Sequence, residues 1–182
     1  MSDLQTLADI GGGSFIAQNA AAAKVWGVEI ETGINPIAGV SLYASGTYTG
    51  DKYGKLDPAS EAAQDGATRL PLLSRWQAQV GGNYELGLHQ HGSLVFAGDY
   101  NYRSSYYNQV SLDPLSKNKA IGRANASITY KTDGDHLEFY AQARNVTNSK
   151  DYYTGFQFIP GVFGYRAPLE PRTWVAGFRY KY

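Results

Sequence analysis

Histidine is the side chain best suited to proton transfer and metal ligation near neutral pH, and this chain has three: His89, His91 and His136. His89 and His91 stand two apart, a spacing that on a strand would aim both imidazoles to one side and let them share a metal ion. They fall within a short connection at 86–92, where solvated polar residues are the ordinary content, so no metal is expected. His136 falls at the start of a strand on the same side. No nucleophile and base converge on one site, and neither an enzyme nor a cofactor is expected. The triplet Gly11-Gly12-Gly13 lacks the Gly-Lys-Ser/Thr of a phosphate loop and has no helical pattern behind it, which makes it a lead-in or turn. Asn145-Val146-Thr147 fits an N-glycosylation acceptor by type and spacing.

Aromatic side chains are the stronger candidates. Tyr53, Tyr106, Tyr107, Tyr152, Tyr153, Phe156, Phe158, Phe163 and Tyr165 crowd three long segments, at about 51–71, 104–118 and 146–171, where exposed rings could hold a small ligand. Those segments carry no siderophore, sugar or cobalamin signature. Sixteen basic and sixteen acidic residues cancel, without a basic run, which excludes the field that draws proteins to nucleic acid. The absence of cysteine removes disulfides and thiolate chemistry. Residues 1–10 lack the basic and apolar regions of a signal peptide.

The elements that position these residues are strands. No window approaches the ~18 consecutive apolar residues of a membrane helix. Fifteen Tyr, seven Phe, three Trp and 21 Gly favour pleated strands joined by turns. Alternation with a period of two runs over 26–34, 40–49, 72–86, 94–103, 119–130, 137–144 and 173–182, and an eighth, weaker strand is expected near 14–20. Connections at 35–39, 86–92 and 131–135 are short and those between are long, the asymmetry of outer-membrane barrels; the link at 20–23 is short where a long one is due.

A soluble sandwich would also alternate, with its apolar face in a core. Strand lengths near the ~9–11 residues that cross a bilayer at a tilt argue otherwise. So do the two faces. One carries Val28, Ile30, Leu42, Ala44, Ala78, Val80, Phe96, Ala124, Ala126, Ala141 and Ala176, without a charge. Trp26, Tyr48, Trp76, Tyr100, Tyr102 and Trp174 belong near one membrane edge, and Tyr84, Leu86, Tyr130, Tyr180 and Tyr182 near the other, as two aromatic belts. The opposite face holds Glu29, Glu31, Arg75, Asp99, Arg123, Glu138 and Arg144, which no dry core would accept. The expected fold is all-β, an antiparallel up-and-down transmembrane barrel segment of about eight strands, with 1–182 as one region in contact with outer-membrane lipid.

Trp174, Phe178, Tyr180 and Tyr182, at alternate positions up to a final aromatic, look like the signal read by the barrel-assembly machinery. Lys24 to Glu31, reading Lys-Val-Trp-Gly-Val-Glu-Ile-Glu, resembles the Gly-x-Glu strand of TonB-dependent receptors. Asn145 to Tyr153, reading Asn-Val-Thr-Asn-Ser-Lys-Asp-Tyr-Tyr, resembles their Asn-Leu-x-Asp-x-x-Tyr segment, and Pro171-Arg172-Thr173 precedes the last strand as in that family. The resemblance runs over about 13–182. It implies part of a 22-stranded barrel of the bacterial outer membrane that encloses an N-terminal plug and takes up scarce ligands such as ferric siderophores with energy delivered through TonB. Neither a plug domain nor a TonB-contacting segment is apparent here, so the chain is expected to be a fragment that meets the TonB complex only through a missing N-terminal region. The alternative is a free-standing eight-stranded barrel serving as anchor, adhesin or narrow pore; pairing of the strand near 14–20 with the last strand would favour it.

Overall fold

A computed structural model of the chain describes residues 4–9, 15–20, 23–54, 69–108, 114–159 and 163–182. Seven long strands form one antiparallel sheet: β3 (Ala23–Ile34), β4 (Val40–Tyr53), β5 (Trp76–Gly87), β6 (Ser93–Arg103), β9 (Ile121–Lys131), β10 (Leu137–Arg144) and β13 (Thr173–Tyr180). They pair in chain order, so β3 and β13 are the two margins. Three small hairpins stand apart from the sheet. These are β1 (Leu4–Asp9) with β2 (Phe15–Ala20), β7 (Tyr106–Tyr107) with β8 (Lys117–Asn118), and β11 (Tyr152–Ile159) with β12 (Phe163–Pro168).

The long strands stand where the alternation places them. The eighth strand does form at 15–20, but its partner is β1, through Leu4↔Ala20 to Asp9↔Phe15, and no pairing with β13 occurs among the described residues. The start of β5 is later than 72. Leu72 adopts a positive φ of 63° in a turn after Pro71, and its N–H donates to the Tyr107 carbonyl, so regular pairing begins only at Trp76.

Register assigns the faces. One unbroken row, Ile34–Leu42–Gly82–Gly98–Ala126–Ala143–Trp174, crosses all seven strands without a polar side chain. The next, Val40–Tyr84–Phe96–Ile128–Ala141–Ala176, crosses six. On the other face, Glu31–Ser45–Gln79–Asn101–Arg123 crosses five strands and is wholly polar. Aromatic rings cover glycines within this lattice, since a Cβ on Gly50 would meet the Trp26 indole and one on Gly122 the Tyr100 ring.

The same register measures tilt. Trp174, second residue of β13, shares a row with Ile34, last residue of β3, although both strands run the same way. Their midpoints are offset by eight residues across six pairings. At ~3.3 Å per residue and ~4.8 Å per strand, that is a stagger of roughly 26 Å over roughly 29 Å, a tilt of about 40°. Closed barrels require a tilt of this size.

Among the described residues there is no dry core. Among the described residues the buried apolar set is Ala23, Tyr106 and Ala143, while Val28 is 62%, Ile30 67% and Phe178 70% exposed. Apart from Lys24 and Lys52 at one end of β3 and β4, this exposed face carries no charge over seven strands, an arrangement that water would penalise and hydrocarbon would accept.

Candidate functional site

The aromatic candidates converge where the sheet's long connections lie. Arg103 ends β6, and its guanidinium carbon stands 4.4 Å from the centre of the Tyr106 ring, a cation–π contact that orients the β7–β8 hairpin. Tyr106 pairs with Asn118 and Tyr107 with Lys117, whose Nζ is 5.7 Å from the Tyr107 ring. The β11–β12 hairpin lies against this one. The Tyr106 hydroxyl donates to the Tyr153 carbonyl (3.3 Å), the Asn108 amide to the Gly155 carbonyl (3.2 Å), and the Asn118 amide to Asn108 Oδ1 (2.8 Å). Arg166 of β12 donates to the Leu115 and Pro114 carbonyls (3.3 and 2.6 Å) and stacks 4.9 Å from the Tyr152 ring.

The connection at 54–75 joins the same unit. The wholly buried carboxylate of Asp51, at the top of β4, accepts Arg69 Nε and Nη2 (3.0 and 2.9 Å) and the Leu70 N–H (2.6 Å). Ser74 Oγ donates to the Ser104 carbonyl (3.0 Å), and Ser104 Oγ accepts the Trp76 N–H (3.0 Å). The described parts of the three long connections are thus one hydrogen-bonded body, with several buried polar groups satisfied by one another.

Below it, the polar face of the sheet forms two adjoining troughs. The first, about 370 Å³, is lined by Thr47, Gln77, Gln79, Asn101, Arg103 and Arg123, and the second, about 350 Å³, by Tyr43, Asn83, Asp99, Asn125, Gln142 and Arg144. Amides, guanidiniums and carboxylates in such a wall offer donors and acceptors to a hydrated solute. Arg123 also reaches the Glu170 carbonyl (3.2 Å), which ties the wall to the third connection.

Asn145 forms the knot between sheet and connection. Its φ is 52°, and the residue is fully buried. Its amide donates to the Ser149 and Glu170 carbonyls (3.0 and 3.2 Å), its Oδ1 accepts the Ser149 N–H and the Thr147 hydroxyl (3.0 and 3.2 Å), and its own N–H donates to Asn125 Oδ1 (3.0 Å). The sequon is therefore a turn whose amide is already engaged, not a free acceptor for sugar.

Of the sequence candidates, Tyr106 is 7% exposed and stands behind the surface, whereas Tyr153 is 62% exposed and Tyr152, Phe163 and Tyr165 are also exposed. Tyr107 is half-buried. Tyr53 closes β4, and Phe156 and Phe158 lie in β11. His89 and His91 belong to a single turn of 3-10 helix between β5 and β6, and His136 precedes β10; all three are at the opposite end of the sheet. Trp174, Phe178 and Tyr180 share one exposed face of β13, and the Tyr182 ring meets that of Tyr180 edge-on at 5.5 Å. Sequence reasoning missed Asp51, Asn108, Asn118 and Arg166. Asparagines flanking a Pro-centred turn, as Asn108 and Asn118 flank Pro114, were the available signal.

Residues 1–146 match the family model described as TonB dependent receptor-like, beta-barrel. Among solved structures, the chain is similar to the ferric yersiniabactin uptake receptor FyuA from Yersinia pestis, at 16% identity over 90% of this chain and 24% of that one, TM-score 0.73. It is also similar to BauA, the ferric preacinetobactin receptor from Acinetobacter baumannii, at 20% identity over 97% and 25%, TM-score 0.68. The copper transporter OprC matches at 15% identity over 98% and 27%, TM-score 0.69. The chain spans about a quarter of the length of these structures. No curated protein sequence matches it.

Proposed function

This chain belongs to the TonB-dependent receptor-like β-barrel family, and from that premise we propose that it is a wall segment of an outer-membrane uptake receptor for a scarce ligand such as a ferric siderophore. In this reading the apolar face meets lipid, the polar face lines the passage, and the long-connection end faces outward to meet the ligand. TonB acts through a region of the intact protein outside this chain. Trp174, Phe178, Tyr180 and Tyr182 serve as the assembly signal, and Tyr53, Tyr107, Tyr152, Tyr153, Phe156 and Phe158 as ligand contacts, with Tyr106 supporting them from behind.

The observation that carries this reading is the division of the sheet. The row from Ile34 to Trp174 is uncharged over seven strands while the row from Glu31 to Arg123 is wholly polar. Among the described residues β3 and β13 do not pair with each other, which favours a segment of a larger barrel over a closed eight-stranded one, because sheet margins in hydrocarbon need further strands. Uptake of radiolabelled ferric siderophores by cells carrying the intact protein, with and without TonB, tests it. TonB-dependent uptake that falls on combined alanine replacement of Tyr152 and Tyr153 is expected. Surface-exposed protein with unchanged ligand retention in every case would end the receptor reading.

A further inference from the structure

Lys24 and Lys52 are Cα partners, directly opposite one another on β3 and β4. Both are exposed, and both lie on the apolar face, two pairings beyond Trp26↔Gly50 and four beyond Val28↔Tyr48. Like charges in that relation repel. Among the described residues no carboxylate compensates them, since Asp51 points to the other face and is held by Arg69.

Their height on the face is informative. From Ile34, the last residue of β3, to Lys24 is ten residues, roughly 33 Å of strand and, at the tilt given above, roughly 25 Å along the membrane normal. The apolar band of a barrel is ~25 Å tall and bounded by aromatic girdles. Trp26, Tyr48 and Trp76 stand immediately beneath the lysines, and the Tyr48 and Trp76 rings are 4.7 Å apart. The ammonium groups therefore sit at headgroup level, with long apolar stems running back over the girdle.

The geometry points to a site for a phosphate-bearing lipid headgroup, clamped between Lys24 and Lys52 with its acyl chains against Trp26 and Val28. Headgroup phosphate supplies the missing anion where the register places two cations side by side. The site rests on the membrane reading above but not on uptake, and it lies outside the passage.

The test uses the intact protein in nanodiscs of phosphatidylcholine with a minor fraction of phosphatidic acid, followed by native mass spectrometry of retained lipid. Wild type is expected to retain phosphatidic acid in preference to phosphatidylcholine. The K24Q/K52Q variant should lose that preference by about tenfold, while K24R/K52R keeps it. K119Q/K150Q, which removes the same charge from exposed residues of the connections, should leave it unchanged. Equal loss in that control would mean bulk charge and overturn the site. So would full retention by K24Q/K52Q, or displacement of the lipid by inorganic phosphate. Heat-modifiable migration reports folding, and if the double variant fails it, K24Q and K52Q are read singly. If wild type itself never inserts, the membrane reading fails; insertion without selective retention refutes the lipid site alone.

Discussion

Asn145 concentrates more satisfied hydrogen bonds than any other described side chain in this end of the molecule, and it does so in a conformation that a residue with a Cβ adopts reluctantly. The two contributions are separable. Asn145→Ala removes the side-chain bonds and keeps the strained φ, with an expected loss of ~2–4 kcal/mol. Asn145→Gly removes the same bonds but relieves the backbone, and it should recover about 1 kcal/mol of that loss. Denaturant titration of both variants in the intact, lipid-reconstituted protein measures the order. Equal midpoints would mean the positive φ carries no strain, and an unchanged midpoint in the alanine variant would mean the knot is dispensable. At this scale the sequence was only partly legible. Asn145-Val146-Thr147 stood out by type, yet its hydrogen-bond ring also depends on Asn125 and Glu170, 20 and 25 residues away, which local spacing does not connect.

Elements were read well wherever one face met one environment. Alternation marked β3, β4, β6, β9 and β10 because each presents small or apolar residues to one side and mostly polar ones to the other through its middle, with exceptions such as Lys24, Lys52, Val95 and Ile121 nearer the ends. It failed for β11, where aromatic residues occupy both parities in Tyr-Tyr-Thr-Gly-Phe-Gln-Phe-Ile, and for the two-residue pairing of β7 with β8, which is too short to show a period. It left the partner of β2 open, since alternation reports a face and not a neighbour, and the structure pairs β2 with β1. The packing of the hairpins gives two predictions. A Cβ on Gly155 would lie 2.0 Å from the Leu115 carbonyl, a backbone atom that cannot swing aside. Gly155→Ala is therefore expected to separate the β11–β12 hairpin from β8, making 104–118 and 146–171 several times more sensitive to limited proteolysis while the melting of the sheet stays nearly constant. Unchanged cleavage would show that the connections are not one body. At the other end, Glu138 accepts Arg179 (3.2 Å) and Lys181 (2.6 Å) and so fixes β13 to β10. Glu138→Gln should speed amide exchange across 173–180 and leave β4 and β5 unaffected; uniform exchange would assign that register to side-chain packing alone.

For the molecule as a whole, the question is which solvent each face meets, and adjacent residues of one strand can answer it. Val80 and Gln79 are neighbours in mid β5, on opposite faces, with Val80 between Ala44 and Tyr100 and Gln79 between Ser45 and Asn101. An arginine at 80 would place a charge near the middle of the hydrocarbon, at a cost of ~2–4 kcal/mol. The same side chain at 79 enters a polar trough already holding Arg103 and Arg123, where water and nearby amides keep it solvated and the cost should stay within about 1 kcal/mol. Folding of the intact protein into vesicles against denaturant, comparing Val80→Arg with Gln79→Arg, reads that difference directly. The asymmetry should shrink in short-chain detergent, where the apolar belt deforms around the charge. If instead the two arginines cost the same in bilayers, the face that contains Val28, Val80 and Phe96 does not meet lipid, and the passage assigned to the opposite face loses its basis with it.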